Sequence, residues 1–194
     1  METRPSNSPT PPINPLLVLA LGVVGVSFSA IFVRMTEAPA SVTAFYRLFL
    51  TCLLLAPMAI RDRRQFGTLG KGDLLLCFVS GVFLSFHFVF WFTSLGLTSI
   101  SSAALMVNIH PLLVVSAGWL LLGEKFRPAA LPWAALAVAG MAMLGWGDYQ
   151  LAGTAFSGNL LAAAGGVMLA GYYLVGRKVR PRISISVYAL LVYG

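Results

Sequence analysis

The sequence predicts an all-α membrane protein, a polytopic bundle of transmembrane helices, and three observations support this fold class. Of the 194 residues, 58% are apolar and 10% are charged, whereas soluble domains average about 45–50% and about 25%. Apolar stretches of membrane-spanning length follow one another along most of the chain. Basic residues concentrate in alternate connections between them. This composition excludes an ordinary soluble domain, and it excludes disorder except in a short tail.

The apolar stretches fit the bilayer, whose core is about 30 Å thick and requires roughly 20 apolar residues in a helix. Six complete stretches are present, and a seventh begins near Ile183. The six are Pro15–Met35, Ala40–Ile60, Asp73–Ser94, Ser99–Leu122, Pro128–Gly147 and Ser157–Gly176. Residues 1–14 are rich in Pro, Ser and Thr, which predicts a disordered cytoplasmic tail. The first stretch is too long for the apolar part of a signal peptide.

The basic residues predict the orientation, because cytoplasmic connections carry an excess of Lys and Arg. With the N-terminus in the cytoplasm, inner segments hold 11 of the 13 Lys and Arg residues. They are Arg4, Arg61, Arg63, Arg64, Lys71, Lys125, Arg127, Arg177, Lys178, Arg180 and Arg182. We therefore expect a multi-pass protein of the cell (inner) membrane. Topology explains the net charge of +7, so the expected partners are the lipid bilayer and a small-molecule solute, with no nucleic acid.

The sequence also contains a weak internal repeat. A shift of 143 residues aligns Ser41–Phe45 with Ser184–Tyr188. A five-span repeat has an odd number of crossings, so its second copy is inverted, and inverted repeats are typical of secondary transporters. We interpret residues 15–147 as a first five-helix repeat and residues 148–194 as the start of a second. Two complete repeats need roughly 290 residues, so we expect the chain to be incomplete.

The third span carries polar and aromatic residues at steps of three and four, which place them on one helix face. They are Ser80, Leu84, His87, Trp91 and Ser94. Polar groups are costly in hydrocarbon, so this face should turn inward. His87 and Trp91 are candidate substrate-binding residues, one by hydrogen bonding and one by stacking. The alternative for His87 is a core histidine that is satisfied by a neighbouring carbonyl or hydroxyl.

The fourth span contains Pro111, which lacks an N–H and clashes with the carbonyl of Val107, so we expect a kink. Kinked helices are tolerated in mid-membrane where they line a cavity or are packed by protein. Asn108 and His110 lie within one turn of this kink, and Ser102 lies earlier in the same span. All three are candidate substrate-binding residues. The alternative is a structural kink whose freed carbonyl is bonded by a neighbour.

The second span contains Arg47, about 10 Å from the outer end of the helix. An intramembrane arginine predicts a functional role: it would hold an anionic substrate group or pair with a carboxylate outside this sequence. The alternative is a side chain that snorkels to the outer interface. No Asp or Glu falls in the middle of a span, so any proton coupling would use His87 or His110. Tyr172 and Tyr173 are expected to anchor the inner interface.

Several segments, taken in order, carry a resemblance to a known family. Asn108–Leu113 has a polar-Pro step in the middle of a span, which ends in the Leu-Gly-Glu turn Leu122–Glu124. A Gly-rich span, Leu131–Gly147, follows, and Phe45–Leu48 forms an aromatic-Arg step in the second span. In these features the sequence resembles the EamA-domain transporters of the drug/metabolite transporter superfamily. It departs from them at His110, where many members have Asn.

The resemblance implies ten spans around a central cavity and export of small polar metabolites by alternating access without ATP. It also implies a gating or structural role for Glu124, and we assign Pro111 to the same class. We therefore predict a secondary transporter that is not an enzyme and needs no cofactor. Two alternatives remain open at this stage. One is a half-size subunit that works only as an oligomer, and the other is a membrane redox protein with His87 and His110 as haem ligands.

Overall fold

The chain forms a helical bundle in a computed structural model that describes residues 14–123, 128–150 and 153–194. Within these ranges there are eight α-helices and no strand. The helices are α1 (Pro15–Met35), α2 (Ala40–Arg61), α3 (Lys71–Leu97), α4 (Ile100–Val107), α5 (His110–Leu122), α6 (Leu131–Gln150), α7 (Thr154–Val179) and α8 (Ile185–Tyr193). Two short 3-10 helices, Arg63–Thr68 and Pro128–Ala130, lie in connections.

The predicted fold class is confirmed. Among the described residues, five spans are long and apolar enough to cross a membrane: α1, α2, α3, α4 together with α5, and α7. In the predicted span Pro128–Gly147, the described apolar segment Leu131–Met143 is shorter. The first helix coincides with its predicted span because Pro15 occupies the first turn and the Asn14 side chain accepts a hydrogen bond from Leu16 N at 2.9 Å. The rest of the predicted tail, residues 1–13, lies outside the described residues. The fourth span differs most from its prediction, because it consists of two helices.

The outer surface of the bundle is apolar. Leu54 in α2 is 78% exposed, and Leu16 and Leu19 in α1 are also exposed. In water such a surface would mark an interaction site, whereas in a bilayer lipid chains cover it. The interior is built around α3, which packs along α7, while α8 lies against α2 and α3.

Glycines in α7 allow the neighbouring helices to approach its backbone closely. A Cβ atom at Gly166 would lie 2.7 Å from the Val107 carbonyl oxygen and 2.8 Å from Ile109 Cγ2. A Cβ atom at Gly165 would lie 3.3 Å from the His87 carbonyl oxygen. Small residues serve this purpose widely in membrane helix interfaces. Here Gly165 and Gly166 allow the third and fourth spans to pack directly against the α7 backbone.

Polar contacts join the connections at one end of the bundle, which we call the basic end. Arg182, after α7, forms an ion pair of 2.7 Å with Asp73 at the start of α3. Ser184 N donates a hydrogen bond of 2.6 Å to Gln65 Oε1 in the connection between α2 and α3. These contacts tie the segment before α8 to α3 and to the connection between α2 and α3.

A second set of polar contacts lies at the opposite end of the bundle. Arg34 at the end of α1 donates a hydrogen bond of 2.8 Å to the carbonyl oxygen of Thr98, just after α3. Thr98 Oγ1 donates in turn to Asn159 Oδ1 of α7 at 2.9 Å. Both ends of α3 are therefore held to α7 or its flanking segments.

The glycine contact of α7 can be tested by substitution. We expect Gly166→Ala to lower the free energy of unfolding by about 1–3 kcal/mol, because its Cβ has no space beside Val107. Gly22→Ala is the matched control, since Gly22 is a helical glycine with no atom near its Cβ position. Thermal unfolding of both purified variants in detergent measures the difference. Equal unfolding midpoints for the two variants would contradict this packing.

Candidate functional site

A cavity of about 660 Å³ lies within the bundle, bordered by residues from every described α-helix except α6. Its walls include five of the six residues predicted to bind substrate: Arg47, His87, Trp91, Asn108 and His110. These residues come from three spans that are distant in sequence. The fold therefore brings most of the predicted set together.

The α3 wall of the cavity is an aromatic pair. The buried His87 ring stacks on Trp91 with centroids 5.8 Å apart and an angle of 20° between the planes. His87 Nδ1 lies 2.9 Å from the Gly165 carbonyl oxygen. A carbonyl oxygen can only accept, so Nδ1 carries the proton and donates. This bond satisfies His87 in the way that the sequence-based alternative, a core histidine bonded to a neighbouring carbonyl, predicts.

The fourth span is broken where the kink was predicted. Helix α4 ends at Val107, whose carbonyl would accept a hydrogen bond from residue 111 if that residue were not proline. The His110 side chain replaces the missing donor, with Nδ1 at 3.2 Å from the Val107 carbonyl oxygen. Asn108 Nδ2 likewise donates to the Ala104 carbonyl oxygen at 2.7 Å. Both side chains therefore stabilise the break while lining the cavity.

Arg47 brings a positive charge to the cavity. Its Nη1 donates a hydrogen bond to Ser29 Oγ of α1. The guanidinium carbon lies 5.0 Å from the centroid of the Phe88 ring and 5.9 Å from that of Phe92, so both rings make cation–π contacts with it. The side chain points into the bundle, which does not match snorkelling to the interface.

One predicted substrate-binding residue, Ser102, is not among the residues that line the cavity. Ser102 is buried in the first turn of α4, where its backbone N–H and its hydroxyl meet Ser99 Oγ at 3.0 and 2.9 Å. The cavity face of α4 carries Ile100 and Ala104, and Ser102 lies two positions from each, on the other side of the helix. Glu124 is outside the described residues.

Tyr172 and Tyr173 were predicted from the sequence to anchor the inner interface, and the structure places both in the walls of the cavity. The Tyr173 ring stacks on His110 with centroids 5.6 Å apart. Helix α7 continues to Val179, three residues beyond the predicted span. No local sequence pattern predicts a contact between residues more than 60 positions apart, such as His110 and Tyr173. Tyr193 also lines the cavity, and no sequence pattern predicted its position there.

A second cavity of about 500 Å³ adjoins the first. The two share His110, Tyr172 and Tyr173 as lining residues. The second cavity also includes Arg177 and Arg180, where α7 reaches the basic end. The shared residues therefore separate a central compartment from a vestibule that is lined by basic side chains.

Comparison with known proteins gives one match. The model of a family described as the EamA-like transporter family matches residues 13–146. This segment supplies Arg47, His87, Trp91, Asn108 and His110, whereas the tyrosines of α7 and α8 lie beyond it. No curated protein and no solved structure matches the chain.

The cavity predicts a pattern of water accessibility. We expect Asn108→Cys, in a background with Cys52→Ala and Cys77→Ala, to react with a membrane-impermeant maleimide, because thiol reactivity requires a hydrated thiolate. Leu54→Cys is the control, since Leu54 lies on the apolar outer surface. Mass spectrometry of the protein in nanodiscs measures labelling at both positions. An unreactive Cys at position 108 would contradict a hydrated cavity.

Proposed function

Because the chain belongs to the EamA-like transporter family, we propose that its central cavity binds a small polar metabolite and moves it across the membrane. The protein is a multi-pass helical membrane protein of a transporter family rather than of an enzyme family. The observation that carries the proposal is the convergence of Arg47, His87 and Asn108 on one cavity between the spans.

The cavity contains hydrogen-bonding groups that can replace the hydrogen bonds a polar solute loses on leaving water. Buried polar groups without partners cost free energy in hydrocarbon, and the guanidinium of Arg47 and the imidazoles of His87 and His110 can replace solvent hydrogen bonds. The Trp91 and Tyr173 rings provide flat apolar walls next to these groups. A solute bound here is shielded from lipid without needing a covalent intermediate.

The transport cycle we propose is alternating access without ATP. We take α8 as the equivalent of α2 on the alignment of Ser41–Phe45 with Ser184–Tyr188, and these two helices pack against each other. Such a pair supports an inverted repeat in which residues 15–147 form the first copy and residues 148–194 begin the second. In inverted-repeat transporters, one repeat rocks against the other around a fixed site.

We further propose that the direction is export from the cytoplasm. Most Lys and Arg residues are at the basic end, which supports a cytoplasmic location for this end and for the N-terminus in the cell inner membrane. The vestibule with Arg177 and Arg180 lies at the same end. A cytoplasmic solute would therefore enter the vestibule and pass His110 to reach the central cavity.

Blocking the cavity tests the transport proposal. We expect purified protein in liposomes to catalyse saturable counterflow of at least one solute in a panel of metabolites, without ATP. Ala104→Trp should reduce this flux to the level of protein-free vesicles, because the indole fills the space beside Ala104 in the cavity wall. Leu54→Trp adds the same ring to the lipid-facing surface and should leave the flux unchanged. Flux that survives Ala104→Trp, or no solute-dependent flux at all, would refute the proposal.

Labelling from each side tests the orientation. We expect Gly67→Cys, in the exposed connection after α2, to react only after the cells are opened. Ala38→Cys, in the exposed connection after α1, should react in intact cells with the same impermeant reagent. The two variants control for each other. The reverse pattern would place the N-terminus outside.

A further inference from the structure

The central cavity contains a cation, the guanidinium of Arg47, that has no acidic partner among the described residues. In the part of the chain that the structure describes, no carboxylate forms an ion pair with Arg47. The sequence explains this, since its six Asp and Glu residues all lie in the tail, in connections or at span ends. Asp73, the carboxylate whose ion pair is described, is at the basic end and contacts Arg182. A charge inside a membrane protein normally has a partner or a functional role.

The protein satisfies Arg47 only in part. A guanidinium has five N–H donors, and Ser29 Oγ accepts one of them. The Phe88 and Phe92 rings stabilise the charge through cation–π contacts but accept no conventional hydrogen bond. The planar fork of donors that remains on a cavity-lining side chain matches the geometry of a carboxylate or another oxyanion.

The surroundings of Arg47 favour a flat apolar body on that anion. Two stacked ring pairs, His87 with Trp91 and His110 with Tyr173, lie in the cavity walls. The Trp91 indole Nε1 is buried and has no hydrogen-bond partner among the described residues. An oxygen of a solute that reaches this atom would restore a hydrogen bond that the folded protein lacks.

The vestibule that leads to the central cavity carries positive charge, as Arg47 does. Arg180 lines the vestibule, and no Asp or Glu is among its described lining residues. Clefts lined by charges of one sign raise the local concentration of ions of the opposite sign. An anion is therefore attracted at the vestibule and meets a second cationic group at Arg47.

Other charge classes fit less well. An ammonium group in the cavity would meet Arg47 and find no carboxylate among the described lining residues. A zwitterion would place one charge on Arg47 and leave the other without a partner, at a desolvation cost. An uncharged solute would leave the guanidinium without its counterion.

We propose that the solute of this protein is an organic anion, a carboxylate or related oxyanion on a planar apolar body, anchored by Arg47. This inference rests on the proposed function, because it specifies which solute the central cavity takes. Arg47 then recognises the charge, while the ring pairs around His87 and His110 select for the flat body.

Binding of three probes that share a phenyl ring tests the charge class. The full chain is placed in nanodiscs of phosphatidylcholine, and equilibrium dialysis measures the Kd of phenylacetate, benzylammonium and phenylalanine. We expect phenylacetate to bind more tightly than either of the others by about tenfold or more. Preference for benzylammonium or phenylalanine would overturn the anion proposal while leaving solute binding in place.

Variants of Arg47 test whether this residue anchors the anion. We expect Arg47→Gln to weaken phenylacetate binding by about tenfold or more, and Arg47→Lys to weaken it less, since Lys keeps the charge but loses the planar fork. Arg64→Gln removes the same charge from an exposed position near the basic end and should leave Kd unchanged. Unfolding midpoints of all variants separate loss of the anchor from loss of the fold. Unchanged binding in Arg47→Gln would overturn the assignment.

Two further outcomes separate the proposals. If no probe binds but other solutes show flux that Ala104→Trp abolishes, the anion class is wrong and the transporter proposal stands. If there is no flux of any kind, the transporter proposal fails as well.

Nanodiscs that contain phosphatidylglycerol test whether Arg47 binds a lipid headgroup instead of a free solute. Loss of phenylacetate binding in these nanodiscs would assign Arg47 to a lipid headgroup and overturn the proposal for a free solute.

Discussion

The hydrogen bond that Pro111 cannot make is the constraint on which the rest of the site depends. In hydrocarbon, a main-chain carbonyl without a partner is costly, so a broken helix persists only where protein or cavity groups satisfy it. Here His110 donates to the Val107 carbonyl oxygen at 3.2 Å. Gly166 leaves room for the same carbonyl, because any side chain there would collide with it. Pro111, His110 and Gly166 therefore all contribute to the break at Val107, although they belong to two spans.

The break in turn determines what the cavity contains. Because α4 stops at Val107, the next residues turn Asn108 and His110 toward the space beside α3. The His87 bond to the Gly165 carbonyl fixes the facing wall. Arg47 is tolerated in this space through its bond to Ser29 and its two ring contacts. The site thus consists of polar groups that are held in hydrocarbon by a small number of directional contacts.

Much of this arrangement, but not all of it, could be predicted from the sequence. Span positions follow from hydropathy, and the break follows from the chemistry of proline, because both are local properties. Four of the five predicted residues that line the cavity are polar groups at sites where lipid exposure would be costly. Ser102 was different, since its hydroxyl is satisfied within its own helix turn by Ser99. The cavity positions of Tyr172 and Tyr173 depend on the register between α7 and the fourth span, which no local pattern encodes.

The most direct test is an experimental structure of the protein in nanodiscs with 4-bromobenzenesulfonate, a permanent anion whose bromine can be located by anomalous diffraction or by difference density. We expect the sulfonate oxygens within about 2.7–2.9 Å of the Arg47 guanidinium and the ring between the aromatic walls. A lipid phosphate bound to Arg47, or a central cavity without the bromine, would contradict the claim that this bundle holds an organic anion at Arg47.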